Sequence, residues 1–354
     1  MSNANRVDMT FGVIVVQCFG RVRLSKTLAL IALFLLATPQ PAPGQNPDEI
    51  VRVDTSLVQL NVGVADRQGR PITDLSRDNF KIFEDGAPQT IASFETTAAP
   101  FSLALLLDVS GSTIGFRQQI KQAALRFTDA LLPDDRVTVI AFNEKTVVLT
   151  KFTYDRNKIA WAITNAEGKG GTELYAALRF ALKELVGEGK RRKAIVVLTD
   201  GLDTGMRNVD RKATADARTN EEAIGAIKPE ASGSLSAVLD AADRQGVTIY
   251  PLALPSGDPK RLPLPTPQLM GIYAAARARI QILAERTGGH LSDIRQLQDL
   301  YRLYGEVAAH LRTLYTIAYQ PSGGRARDGR WRAIRIEVNR PELIARTRPG
   351  YFAN

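Results

Sequence analysis

From Phe101 to about Leu314 the chain alternates short apolar runs with longer stretches of helical period. SLALLLD, RVTVIAF, KTVVLTKF, KAIVVLTD and VTIYPLAL read as strands. FRQQIKQAALRFTDALL, NKIAWAITNA, ELYAALRFALKELV, LSAVLDAADRQ and LYRLYGEVAAHLR read as helices. Several of these strands are apolar on both faces, as a mostly parallel sheet covered by helices on each side requires. KTVVLTKF follows its neighbour after only Asn143-Glu144, a connection short enough for an antiparallel pair alone. The pattern predicts a doubly wound α/β unit over residues 101–314, its sheet parallel except for one edge strand.

The flanks have a different texture. VQLNVGVAD (58–66) alternates with period two, and FKIFE and QTIASFE are joined by Asp85-Gly86, a hairpin signal. At the other end YTIAYQP, WRAIRIEVN and LIARTRPGYF supply two or three more strands. Each half is near the size limit for a stable core, so residues 49–100 and 315–354 are expected to build one β-sandwich around the α/β unit. Two independent β units are the rival arrangement. Residues 203–232, charged and poor in large apolar side chains, and 254–270, with five prolines, read as long connections.

The first residues change what the charge means. Arg21, Arg23 and Lys26 precede an apolar stretch from Leu28 to Ala37, too short to span a bilayer but suited to a secretory signal peptide, with small residues at Ala42-Pro43-Gly44. An uncleaved anchor is the alternative, and Met9 could be the true start. Loss of residues 1–44 would remove Arg6, Arg21, Arg23, Lys26 and Asp8, lowering the formal charge from +9 to about +6. No basic run is interleaved with aromatics, which argues against nucleic-acid binding. The one cysteine, Cys18, lies in the same segment, so the mature chain would have neither a disulfide framework nor a thiolate site. The expected location is exported and bacterial: periplasmic, cell-surface or secreted, with no membrane span after signal cleavage.

In doubly wound sheets ligands bind outside the carboxyl ends of the strands. Three segments converge there: Asp108-Val109-Ser110-Gly111-Ser112 after the first α/β strand, Gly170-Gly171-Thr172 before a helix, and Thr199-Asp200-Gly201 after KAIVVLTD. Asp108, Ser110, Ser112, Thr172 and Asp200 are all hard oxygen donors, with no His or Cys among them. That set suits Mg²⁺; Mn²⁺ or Ca²⁺ could substitute, while zinc or copper would match poorly. The competing reading is local. Ser110 and Ser112 could cap the helix expected near Ile114, and Asp200 could make a turn with Gly201. Asp203 reads as a loop cap or ion-pair partner. His290 begins a strand and His310 sits in a helix, neither in a catalytic or metal-binding pattern.

DVSGS, the Thr of GGTELY and the Asp of LTDG, in this order at strand ends, resemble the von Willebrand factor type A domain and its metal-ion-dependent adhesion site. The flanking strands resemble those of exported bacterial members. The resemblance implies a Rossmann-like fold over about 210 residues. It implies that Ser110, Ser112 and, in some states, Thr172 touch the metal directly, with Asp108 and Asp200 acting mainly through bound water. It also implies a non-enzymatic adhesion module whose cation bridges to an Asp or Glu carboxylate on a protein partner. Two other functions fit less well. A scaffold subunit working with an ATPase would need a partner's nucleotide site, since no GxxxxGK[ST] occurs here. A Ser110 hydrolase lacks the GxSxG elbow, having Asp at position 108, and lacks a histidine placed as base.

Overall fold

The computed structural model describes residues 57–353, apart from 130, 190, 262–263, 295–298 and 323–327. The expected leader, residues 1–44 with Cys18, lies outside the described residues. Among those described, no helix is long and apolar enough to cross a membrane.

Six strands form the central sheet: β5 (Phe101–Asp108), β6 (Arg136–Phe142), β7 (Thr146–Thr153), β8 (Arg192–Thr199), β9 (Thr248–Ala253) and β10 (Ser292–Asp293). Their spatial order is β10-β9-β8-β5-β6-β7, parallel throughout except for β7, which runs antiparallel to β6 along the edge. Every residue of β5 is buried because its pleat feeds two cores. Leu103, Leu105 and Leu107 pack with residues of α1 (Arg117–Asp129), α2 (Arg156–Thr164) and α8 (Asp299–Thr313). Ala104 and Leu106 pack on the other face with α3 (Leu174–Val186), α6 (Gly233–Gln245) and α7 (Pro267–Thr287). A strand covered on both sides has no use for polar residues until it leaves the sheet.

The segments read as long connections are largely helical. Residues 203–232 fold into α4 (Thr204–Ala213), α5 (Asn220–Gly225) and a short 3-10 turn. The proline-rich stretch ends in α7, 21 residues long. Its start carries a recognisable signal, Thr266 capping the Leu269 amide with Pro267 in the first turn, and Gly288 closes it at φ 79°. The helix after β5 begins at Arg117 rather than near Ile114, because Gly111–Phe116 winds as a 3-10 turn first.

Strands from both ends of the chain are shared between two antiparallel sheets. One has the order β13-β1-β11-β4 and the other β14-β12-β2-β3. Here β1 is Val58–Ala65, β2 Phe80–Glu84, β3 Ala87–Gln89, β4 Ile91–Glu95, β11 Leu314–Tyr319, β12 Trp331–Val338, β13 Ile344–Arg346 and β14 Gly350–Phe352. Their facing side chains make a third core around Leu60, Val62, Phe80, Ile82, Tyr315 and Tyr319. Asp85 and Gly86, at φ 49° and 83°, form the β2–β3 turn. QTIASFE does not stay in one sheet: it breaks at Thr90, so that β3 pairs with β2 while β4 pairs with β11. The last strand divides in the same way, β13 joining β1 and β14 joining β12.

Both chain crossings between sandwich and central sheet meet at one side chain. Arg192, the first residue of β8 and 1% exposed, donates from Nη1 to the Leu311 and Leu314 carbonyls at 2.6 and 2.8 Å. Its Nη2 donates to the carbonyls of Thr97, at 3.0 Å, and Ala99 in the link from β4 to β5. Nearby, Asn61 of β1 donates to the Gly246 carbonyl and to Thr248 Oγ1, and Arg348 donates to the Asp243 carboxylate at 2.6 Å.

On the same side of the sheet His310 of α8 shares a 2.9 Å hydrogen bond with the Tyr250 hydroxyl and meets His290 edge to face. Burial, then the neighbouring His290, lowers the His310 pKa from 6.5 to about 4. Burial also lowers His290, partly offset by Glu306. A folded-state pKa below the unfolded value means that the neutral ring is favoured in the native protein. Its contribution is intact above about pH 6.5 and is lost as pH falls toward 4. Thermal melts across that window are expected to show acid destabilisation in the wild type and much less in His310→Gln.

Candidate metal centre

The register of the sheet builds the site. Leu107 pairs with Leu198 across β5 and β8, so Asp108 and Thr199 leave the sheet side by side and Asp200 follows. After β5 the chain builds outward through β6 and β7 on one side and through β8, β9 and β10 on the other. The two carboxylates therefore sit at the topological switch point, where a crevice opens between diverging loops.

Asp108 and Asp200 are 1% and 2% exposed. Asp108 Oδ1 accepts the Ser110 amide at 3.0 Å and Oδ2 accepts the Thr199 hydroxyl at 3.0 Å. Asp200 Oδ1 accepts the Leu202 amide at 3.1 Å, but its Oδ2 is buried without a hydrogen-bond partner. Ser110 occupies the N-cap position of the 3-10 turn yet makes no capping bond; its hydroxyl pairs with that of Ser112 at 3.2 Å. Capping by Ser110 is therefore not what holds this loop. Thr113 does that work, donating to the carbonyls of Asp108 and Ser110 at 2.9 and 3.0 Å.

The second loop is fixed from several sides. Gly170, at φ 97°, turns its carbonyl to accept the Gly111 amide at 2.9 Å. Glu144, in the β6–β7 turn, accepts the Gly171 amide at 2.8 Å. Buried Thr172 is stitched to the start of α4, its amide donating to Thr204 Oγ1 at 2.9 Å and its carbonyl accepting the Thr204 amide at 2.8 Å. Asp203 caps α4 through Met206 and also accepts the Tyr175 amide of α3, the loop-cap role that its position suggests.

Burial drives the Asp108 carboxyl from 3.8 up to about 7, and the adjacent Asp200 adds to the rise. Hydrogen bonds from Ser110 and Thr199 oppose it without cancelling it. Asp200 is pushed up by burial too, against the hydroxyls of Ser112 and Ser256 and the Leu202 amide. No Lys or Arg pairs with either carboxylate among the described residues. Two buried acids without counter-charge, one with an orphaned oxygen, are unfavourable alone and fit a divalent cation. Among the described residues no three of His, Cys, Asp and Glu cluster as a metal cage. A cation held at these loops would therefore take hydroxyl and water oxygens for much of its shell, the preference of Mg²⁺.

Residues 103–202, which carry the first two strand-end loops and the Thr172 loop between them, match the family model of the von Willebrand factor type A domain. The chain carries a von Willebrand factor type A domain. An uncharacterized protein of Synechocystis sp. is 34% identical over 156 residues, which are 39% of this chain and 37% of that protein, so the chain spans well under half of the relative's length. A von Willebrand factor type A structure from Catenulispora acidiphila is 14% identical, with TM-score 0.44 over 85% of this chain and 64% of that one. The corresponding domain of the type V pili tip protein Mfa5 from Porphyromonas gingivalis is 14% identical, with TM-score 0.45 over 60% of this chain and 94% of that one.

A fourth loop, outside the matched residues, also lies against Asp200, and the motif spacing does not point to it. After β9, Pro255–Gly257 forms a 3-10 turn that is tied to β8 by the Leu254 amide donating to the Thr199 carbonyl at 2.9 Å. Gly257 lies against Asp200 so closely that a Cβ there would run into the Asp200 carbonyl group. Gly257→Ala is expected to cost about 2 kcal/mol or more of stability, because backbone rather than a flexible side chain must yield. Denaturant unfolding checks this, and an unchanged midpoint would mean that the turn does not press on Asp200.

Proposed function

We propose that this chain is a non-enzymatic, divalent-cation-dependent protein-binding module of the bacterial cell envelope. Mg²⁺ held by Asp108, Ser110, Ser112, Thr172 and Asp200 would bridge to an Asp or Glu carboxylate on a partner protein. The observation that carries this reading is the unpartnered, buried Asp200 Oδ2 beside the equally buried Asp108. An ion placed there supplies the missing positive charge and, with an open coordination position, Lewis acidity toward an anionic ligand. The family match supports a protein-interaction role in general. The leader-like residues 21–44 support export. Against hydrolysis by Ser110, both histidines of the chain pack on each other and on Tyr250, and the Ser110 hydroxyl pairs with Ser112 rather than with a base.

Mg²⁺ at a hundredfold excess over Kd should stabilise the wild type by about 2.7 kcal/mol, raising the melting temperature by several degrees. Asp108→Ala should abolish that response. Identical wild-type melting in Mg²⁺ and in chelator would sink the cation reading. Capture of an envelope protein by the immobilised chain should occur in Mg²⁺ and be lost in chelator; capture unaffected by chelator would remove the cation from the contact.

A further inference from the structure

One oxygen next to the carboxylate pair has no role in the five-residue set. The Ser256 hydroxyl is buried and completes no hydrogen bond. The turn that carries it packs on Asp200, since a Cβ on the next residue, Gly257, would run into the Asp200 carbonyl group. Asp200 Oδ2 is likewise buried and unpartnered. An orphaned hydroxyl on the turn that packs against Asp200, and an orphaned oxygen on Asp200 itself, leave two polar groups unsatisfied in a buried place. Native structures avoid that outcome unless something bridges the gap.

The position of Ser256 is imposed rather than incidental. Pro255 fixes one side of it, the Leu254–Thr199 hydrogen bond anchors the turn to β8, and Gly257 packs on the Asp200 backbone. The serine cannot retreat from the carboxylate without undoing those contacts. Its hydroxyl can donate one hydrogen bond and accept another, which suits it to hold a water molecule.

We propose that Ser256 is a positioning residue of the cation site, holding one water of the ion's shell between its hydroxyl and Asp200 Oδ2. This rests on the cation reading above and adds a fourth loop to it. Ser256 thereby fixes the orientation of Asp200 and strengthens cation binding without needing to touch the ion. Groups that orient metal ligands in this way commonly change affinity by about 10–100-fold when removed.

Calorimetric titration of the purified full chain with Mg²⁺ alone tests this, alongside melting in chelator. Ser256→Ala is expected to bind Mg²⁺ about tenfold more weakly, at the low end for such groups, while its cation-free melting temperature stays at or slightly above the wild-type value. Ser256→Thr, which keeps the hydroxyl, is expected to recover most of the affinity. Wild-type affinity in Ser256→Ala overturns the proposal and leaves the five-residue site standing. So does a loss of affinity that tracks a loss of cation-free stability, or that Ser256→Thr fails to repair. Absence of Mg²⁺ binding by the wild type overturns both this proposal and the reading beneath it.

Discussion

Two carboxylates buried side by side, with no cationic side chain paired to them among the described residues, govern the arrangement around the carboxyl edge of the sheet. A lone buried carboxylate is expensive, and a second one beside it raises the cost, as the elevated pKa of Asp108 records. The protein tolerates this because hydrogen bonds from Ser110, Thr199 and Leu202 occupy three of the four carboxylate oxygens. The fourth, Asp200 Oδ2, is left unpaired. Burial holds these oxygens in place, and the positive charge they lack is what the proposed cation would supply.

That tension is sustained by the sheet. β5 and β8 can end in acids because everything behind those ends is apolar and covered on both faces. Adjacent register brings Asp108 and Thr199 together without any long-range search. The loops beyond are then held by backbone contacts: Gly170 on Gly111, Thr172 on Thr204, and Gly257 on Asp200. Few of these depend on a flexible side chain, which keeps the oxygens in place.

The strands, most helices and the strand-end positions of Asp108 and Asp200 were legible because each leaves a local pattern: apolar runs, helical period, and an acid at the end of a buried run. Two omissions share one cause. Arg279 of α7 and Asp210 of α4 are both 2% exposed and form a bidentate pair at 2.6 Å. A charge on the buried face of each helix spoils its apolar stripe, so α4 reads as a charged loop and α7 as no element at all. The breaks at Thr90 and near Pro349 were hidden for another reason: a strand changes sheets according to its partners, which lie hundreds of residues away in sequence. Ser256 escaped notice because serine after a strand carries no signature. Its meaning comes only from Gly257 lying on Asp200.

Arg192 and Asp200 stand at opposite ends of the same strand. β8 is eight residues long, so the knot of carbonyls around Arg192 and the carboxylate edge lie about 25 Å apart along the strand direction. The sandwich is attached at the first end, leaving the second free to face outward. A pull between a partner held at that edge and the rest of the chain would therefore travel lengthwise through β5 and β8. Their ladder of seven paired positions would be loaded in shear, with its hydrogen bonds sharing the tension, instead of being peeled open one at a time. The two ends of β8 thus separate the place where the sandwich is fastened from the place that faces outward.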